Sequence, residues 1–183
     1  TKIGPFAFSF DSPESIRIPN SVTSIGGCAF YGCNPTSISI GSGVATIEGA
    51  AFWSCGAHLD SISVNGGNTH YDSRGGCNAL IETETNILIQ GCQNTIVPSD
   101  VVSIGYSAFM DVPIISITIP SSVTRIEDRA FENCDRVTDI YCYANPDTLT
   151  WINPDGCFKS GKATICHVFN ANAWNNTFPT ANV

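Results

Sequence analysis

Positive charge is scarce in this chain of 183 residues, and no basic run occurs anywhere along it. Lysine and arginine together number 8, against 16 aspartate and glutamate residues, so the formal net charge is −8 at neutral pH. Proteins bind nucleic acids and anionic membranes through clusters or stripes of lysine and arginine. The composition therefore argues against both kinds of partner.

Long hydrophobic runs are also missing. No stretch approaches the roughly 20 apolar residues that a helix needs to span a bilayer, so no membrane span is predicted in this segment. Hydrophobic residues nevertheless make up 43% of the chain and charged residues only 13%, which is typical of a folded core and not of disorder. The chain starts without a charged-then-apolar leader, and we expect it to begin inside a repeat array.

Signatures of catalysis and of metal binding are missing as well. The chain has neither a Gly-x-Ser-x-Gly elbow nor a paired-acid signature, and neither C-x-x-C nor H-x-x-x-H occurs. Zinc sites usually place Cys and His ligands in such closely spaced pairs. The three histidines, His58, His70 and His167, are each expected in a loop or on a strand surface. We therefore predict no enzymatic activity, no cofactor and no metal site.

A repeated pattern accounts for most of the chain. Copies begin at Ser15, Ser37, Asn94 and Ser116, and half a copy opens the chain at Ile3. One isoleucine column and one phenylalanine column recur in phase, with steps of 22, 22, 57 and 22 residues: Ile3, Ile25, Ile47, Ile104, Ile126 and Phe8, Phe30, Phe52, Phe109, Phe131. Two columns that stay in phase indicate a true repeat.

Each copy predicts a short strand, a turn, a second extended piece and a compact turn. In the first full copy, Ile16 and Ile18 alternate with polar residues, and Val22 and Ile25 belong to the second extended piece. One copy cannot bury all its large apolar side chains alone, so identical coils are expected to stack about 4.8 Å apart. The sequence therefore predicts a β-rich solenoid of 22-residue coils, with short strands and turns and little helix.

The string I-x-I-P-x-x-V-T-x-I-x-x-x-A-F-x-x-C closely resembles the BspA-like leucine-rich repeats, and the resemblance covers nearly the whole chain. It implies a leucine-rich-repeat solenoid from a bacterial protein that is displayed at the cell surface or secreted. Relatives are associated with adhesion to host matrix proteins and to other microbes, which implies a protein or glycoprotein ligand. We also expect the module to be a monomer. A structural spacer, or a targeting appendage of a larger surface protein or hydrolase, is the alternative.

Two departures from the repeat divide the single domain. Its predicted parts are N-terminal coils, a hairpin insertion, further coils and a C-terminal capping segment: 1–65, 66–93, 94–140 and 141–183. Within the insertion, the apolar pieces 79–81 and 87–89 flank Glu84 and Thr85 and predict a β-hairpin. Near the C-terminus, 163–168 predicts a last strand that, with a turn or helix at 171–174, covers the final coil.

Three of the nine cysteines belong to the repeat. Cys33, Cys55 and Cys134 each follow the column phenylalanine by three residues, and Val112 fills this position in another copy. A position that accepts either cysteine or valine is predicted to hold a small buried side chain.

The remaining cysteines leave alternatives open. If the hairpin turns about residues 84 and 85, Cys77 and Cys92 face each other, close enough for a disulfide. Two neighbouring free thiols are the alternative. One bridge is also possible in the terminal segment, with Cys142 to Cys166 as the first choice and Cys157 left over.

Two outward columns supply the candidate binding residues. The residue between the two strand isoleucines is mostly small or polar: Arg17, Ser39, Ser63, Thr118, Tyr141. The residue after the column phenylalanine is large and apolar in three of four copies: Tyr31, Trp53, Met110, Glu132. Because strand faces and exposed aromatics often contact ligands, we select Arg17, Tyr31, Trp53, Met110 and Thr118. Packing of the second column against neighbouring turns is the alternative.

Overall fold

The computed structural model describes residues 1–153 and the strand at 165–168. The strands follow in chain order: β1 (Lys2–Ile3), β2 (Ser15–Ile18), β3 (Ser24–Ile25), β4 (Ser37–Ile40), β5 (Thr46–Ile47), β6 (Ser61–Val64), β7 (Tyr71–Asp72), β8 (Ala79–Glu82), β9 (Ile87–Gly91), β10 (Ser103–Ile104), β11 (Ser116–Ile119), β12 (Arg125–Ile126), β13 (Asp139–Cys142), β14 (Thr150–Trp151) and β15 (Ile165–Val168). Within these residues the one helical element is a 3-10 turn, Arg74–Gly76. The predicted β-rich solenoid with little helix is confirmed.

A regular coil contributes one four-residue strand and one two-residue strand, and each pairs in parallel with its counterpart in the next coil. The four-residue strands form the sheets β2-β4-β6 and β11-β13-β15, and the two-residue strands form β1-β3-β5 and the row β10-β12-β14. Pairing sets Ile16 beside Ile38, and Ile38 beside Ile62. Isoleucine suits these strands because its branched side chain packs well on a pleated surface.

The column phenylalanines stack on one another, as the repeat predicts. Ring centroids lie 5.4 Å apart for Phe8 and Phe30, 5.5 Å for Phe30 and Phe52, and 5.2 Å for Phe109 and Phe131. Each such aromatic pair contributes about 0.5–1.5 kcal/mol beyond its buried area. The column therefore helps to hold successive coils in register.

The turn that carries each phenylalanine uses left-handed backbone. Gly32 has a φ of 70°, and its counterparts Ser54, Asp111 and Asn133 have φ values of 56°, 61° and 59°. A side chain in this region costs roughly 1–2 kcal/mol. Hydrogen bonds between coils offset part of that cost, because Asn133 donates to Asp111 at 2.9 Å and the Ser54 hydroxyl donates to the other oxygen of Asp111.

The insertion forms the predicted hairpin and then rejoins the solenoid. Strands β8 and β9 pair antiparallel, and the turn between them is centred on Glu84 and Thr85. Strand β9 pairs in parallel with β10, so it takes the place of the two-residue strand in its own coil. Strand β7 adds to the other side of β8.

Strand β8 separates two hydrophobic cores. Ala79 and Ile81 pack in the C-terminal core, whereas Leu80 packs in the N-terminal core. Successive side chains of a strand point to opposite faces, so one strand buried on both faces can close two cores. This strand joins the insertion to the coils on both sides.

Arg74 attaches the insertion to the hairpin turn and to the following coil. Its guanidinium donates to the carboxylates of Asp72 and Asp100 at 2.7 and 2.6 Å, and to the side-chain oxygen of Asn86 at 2.7 Å. Burial alone would raise the pKa of Asp72, but hydrogen bonds from Arg74 and Thr83 outweigh it and lower that pKa. The carboxylate is therefore held ionised beside Arg74.

Gly91 occupies the phenylalanine position of the interrupted coil. Its amide donates to the carbonyl of Ala108 at 2.8 Å, just as the Phe109 amide donates to Ala130 at 2.7 Å. A Cβ atom on Gly91 would lie 2.1 Å from the ring of Phe109. The ring of Phe109 thus fills the space that a side chain would need.

Candidate binding surfaces

The four-residue strands place one column of side chains on the outer face of the solenoid. Parallel pairing aligns Arg17 with Ser39 and Ser39 with Ser63, and in the second half it aligns Thr118 with Tyr141. Arg17 and Thr118 are exposed, whereas the isoleucines on either side of each are buried. This column, called the strand face below, is a flat and mostly polar surface.

The residues that follow the column phenylalanines form a second row, called the turn row below. Tyr31 stacks on Trp53 with ring centroids 5.0 Å apart, and the indole N–H of Trp53 donates to the sulfur of Met110 at 2.7 Å. The Arg129 guanidinium lies 6.0 Å from the Trp53 ring centroid. Tyr31, Trp53 and Met110 are half-buried. The row therefore packs across neighbouring turns and still presents part of each side chain at the surface.

The exposed aromatic side chains that the column comparison did not single out include two tyrosines, Tyr106 and Tyr143. Tyr106 is 44% exposed, and its ring centroid lies 6.5 Å from that of Trp53. Tyr143 is 46% exposed, just after strand β13. Proline, glycine or aspartate fills the Tyr106 position in the other copies, so no aromatic column indicated it. A search for large residues at positions that are small elsewhere would have found it.

The repeat cysteines are buried thiols that hydrogen-bond to the preceding coil. The sulfurs of Cys33, Cys55 and Cys134 lie 3.0, 2.8 and 3.0 Å from the carbonyl oxygen of the phenylalanine one coil earlier. Burial raises the pKa of all three thiols, and a protonated thiol is a poor nucleophile. Cysteine at this position can donate a hydrogen bond to the preceding coil, whereas the side chain of Val112 cannot.

Of the two alternatives left open for Cys77 and Cys92, the structure has the free thiols and no disulfide between them. Both are free, buried thiols, with Cys77 in the C-terminal core and Cys92 in the N-terminal core. A register shift after Leu80 pairs Ala79 with Gly91. The two cysteines are therefore not directly opposed, because the register at the turn does not extend along the whole hairpin.

Cys142 is also a free, buried thiol, and burial raises its pKa to about 11. The parallel register of β13 and β15 sets Cys142 opposite Val168 and Ile140 opposite Cys166. The backbone of β15 confirms the predicted last strand. Cys157, the side chain of Cys166 and the stretch at 171–174 lie outside the described residues.

Possible metal ligands do not converge in the part of the chain that the structure describes. There, no cluster of three or more His, Cys, Asp or Glu residues could bind a metal ion. His58 and His70 are both exposed, and the side chain of His167 lies outside the described part. Among the same residues, no helix is long and apolar enough to cross a bilayer.

The stacked parallel coils define a leucine-rich-repeat solenoid. A family profile described as the BspA type leucine rich repeat region matches residues 1–78 and 88–173 in six copies. The chain therefore belongs to the BspA-type leucine-rich repeat family. No curated protein is similar enough to match it.

Solved structures share the fold at low sequence identity. A leucine-rich repeat protein from Eubacterium ventriosum is 22% identical, with a TM-score of 0.64, over 77% of this chain and 45% of that chain. The pneumococcal vaccine antigen PcpA is 19% identical, with a TM-score of 0.57, over 76% of this chain and 42% of that chain. This chain thus spans less than half the length of either relative.

Proposed function

We propose that this segment is a non-catalytic binding and adhesion module of a bacterial cell-surface or secreted protein. The observation that carries the proposal is the in-register outer surface of the stacked coils. It presents Arg17 and Thr118 on the strand face, and Tyr31, Trp53 and Met110 on the turn row. A repeated surface of this kind binds a large partner through many contacts that act together.

The core positions repeat the same residues whereas the surface positions vary, and this difference supports the proposal. The buried columns repeat isoleucine and phenylalanine, whereas the strand face changes from arginine to serine, threonine and tyrosine. Outer residues can therefore vary to match a partner without disturbing the packing beneath them. The family resemblance supports a protein or glycoprotein as the ligand, and we expect the module to bind it as a monomer.

A binding experiment tests the strand face directly. The protein is immobilised, and a panel of purified extracellular-matrix glycoproteins is passed over it in biolayer interferometry. Arg17→Glu is expected to lower the affinity for the partner about tenfold. The melting temperature is expected to stay unchanged, since exposed charges rarely affect stability. Arg136→Glu, an exposed charge reversal outside both surfaces, serves as the matched control and is expected to bind normally.

The spacer alternative makes the opposite prediction. If no glycoprotein or bacterial cell surface binds under any condition, the module only holds another domain at a distance. Reading the complete open reading frame addresses the third possibility, because a neighbouring hydrolase domain would favour a targeting appendage.

A further inference from the structure

The insertion opens a notch in the side of the solenoid, where the row of two-residue strands is interrupted. Strand β5 is the last strand of its sheet, and β9 resumes the row on the far side of the notch. The notch has a volume of about 410 Å³, which is typical of ligand-binding pockets. Its lining includes Ile47, Glu48, Glu82, Ile87, Ile89 and Tyr106.

The strand edge at the notch is incompletely paired. Strand β5 is paired on its other side with β3, where the amide of Glu48 donates to the carbonyl of Ile25 at 2.9 Å. That ladder ends at Ile47, whose amide donates instead to the hydroxyl of Tyr71 at 2.8 Å. The Ile47 carbonyl lies at this edge, where an added extended chain can donate a hydrogen bond to it. Exposed sheet edges commonly bind peptides in this way.

The walls of the notch combine apolar surface with negative charge. Ile87 and Ile89 are half-buried on one side, and the ring of Tyr106 is exposed beside them. Glu48 and Glu82 line the same notch, and its described lining residues include no lysine or arginine. A ligand that carries both an aliphatic stem and a positive charge complements this combination.

Hydrogen bonds orient the two carboxylates. The amide of Gly27 donates to one oxygen of Glu48 at 2.9 Å, and the hydroxyl of Thr85 donates to one oxygen of Glu82. A carboxylate accepts about four hydrogen bonds in all, so each group retains capacity for a cationic donor.

A small cavity of about 30 Å³ adjoins the notch and shares Ala50, Ile89 and Tyr106 with it. Ser107 and Gln90 line this cavity and are only 5% and 4% exposed. The Ser107 hydroxyl has no hydrogen-bond partner among the described residues. Such a buried orphan is unfavourable by about 1–3 kcal/mol, so the site favours a ligand or a water molecule that supplies a polar atom.

We propose that the notch binds an extended peptide segment of a partner protein through a lysine or arginine side chain. The peptide main chain lies along β5 and donates to the Ile47 carbonyl. The aliphatic stem packs against Ile87 and Tyr106, and the cation contacts Glu48 and Glu82. This inference rests on the proposed binding function and assigns a chemistry to the partner. The net charge of −8 adds long-range attraction for a basic segment.

Fluorescence polarisation with short labelled peptides tests this proposal on the intact chain. The probe is Val-Thr-Lys-Val-Thr-amide with fluorescein on its N-terminus, and the comparison peptide replaces the lysine with glutamate. The lysine peptide is expected to bind about tenfold more tightly at low salt, and the difference is expected to shrink as salt is added. Equal binding of the two peptides would overturn the proposal.

Matched variants locate the interaction. Glu48→Gln and Glu82→Gln are each expected to weaken the lysine peptide several-fold while leaving the melting temperature unchanged. Glu84→Gln removes the same charge from the tip of the hairpin, outside the notch, and is expected to have no effect. If Glu84→Gln weakens binding as much as the other two variants, general electrostatics explain the result and the notch does not.

Failure of this inference is distinguishable from failure of the proposed function. Arg17→Glu is expected to weaken glycoprotein binding on the strand face and to leave lysine-peptide binding intact. If a glycoprotein binds through Arg17 and the lysine peptide does not bind, the proposed peptide site in the notch is refuted and the proposed adhesion function is supported. If the lysine peptide binds specifically and no glycoprotein binds, the peptide site in the notch is supported and adhesion through the strand face is refuted.

Discussion

The indole N–H of Trp53 donates to the sulfur of Met110 at 2.7 Å, although 57 positions separate the two residues in the chain. The next position repeats the relationship, because the Ser54 hydroxyl donates to a carboxylate oxygen of Asp111. In the turn row, a step of 57 residues in sequence therefore brings two side chains into direct contact, as the step of 22 from Asp111 to Asn133 does. The row of turns continues past the insertion, and the extra residues are accommodated away from it.

The contact between Trp53 and Met110 is expected to couple the two halves of the solenoid energetically. Trp53→Ala should lower the free energy of unfolding by about 2 kcal/mol, because a half-buried ring loses its stacking and its hydrogen bond. Urea denaturation of Trp53→Ala, Met110→Ala and the double variant measures the coupling. We expect an interaction energy of about 0.5–1.5 kcal/mol; strictly additive effects would show that the contact contributes nothing.

Gly91→Ala is expected to destabilise the protein by about 1–3 kcal/mol, since the added methyl group must displace the ring of Phe109. The matched control is Gly66→Ala, because a Cβ atom at Gly66 meets nothing within 4 Å. Thermal unfolding compares the two variants. Phe109→Leu should make the Gly91 substitution less harmful by vacating space. A Gly91→Ala protein as stable as Gly66→Ala would contradict the steric explanation.

Tyr71→Phe is expected to lower the free energy of unfolding by about 1–3 kcal/mol, because the Ile47 amide loses the hydroxyl that accepts its hydrogen bond. Hydrogen exchange should show faster exchange at Ile47, with little change at Ile25 in the paired strand before it. Tyr106→Phe removes a hydroxyl from a ring that is 44% exposed and should leave both amides protected. Unchanged exchange at Ile47 in Tyr71→Phe would rule out this role of the hydroxyl.

The buried thiols predict a loss of stability at alkaline pH. Burial raises the pKa of Cys55, Cys134 and Cys142 above the ordinary value of 9.0, to about 11 for Cys142. Above pH 9 the folded chain therefore holds more protons on these groups than the unfolded chain does. The free energy of unfolding is expected to fall as pH rises from about 9 towards the folded-state pKa values.

Urea midpoints at pH 8, 9 and 10 measure this alkaline effect. A variant with valine at positions 55, 134 and 142 is the matched comparison, since valine keeps the burial and removes the titrating group. Its midpoint should decline less steeply with pH than that of the natural chain. Parallel curves for the two proteins would assign the alkaline loss to other groups.

Much of the fold follows from the repeat alone. The phase of the isoleucine and phenylalanine columns predicts which residues touch, and the stacked rings of Phe30 and Phe52 confirm it. Alternation in the four-residue strands also predicts that Arg17 and Thr118 point outward. Such local periodicity is readable because each coil repeats the same contacts with its neighbour.

The insertion shows where sequence reasoning stops. Its hairpin and its turn at Glu84 and Thr85 were predictable, but the register shift after Leu80 was not. That shift takes Cys77 and Cys92 out of direct opposition, and both are free thiols. A bulge depends on how both faces of a strand pack, and no residue type in the hairpin predicts where it occurs.

By itself, the sequence determined the coil, its period and the two columns that build the core, because those features repeat and reinforce one another. Tertiary structure alone decided that strand β8 divides the core in two, that Gly91 takes a phenylalanine position, and that Glu48 and Glu82 share a notch. These features occur once in the chain, and each depends on packing between segments far apart in sequence. Periodicity carries no information about a contact that is made only once.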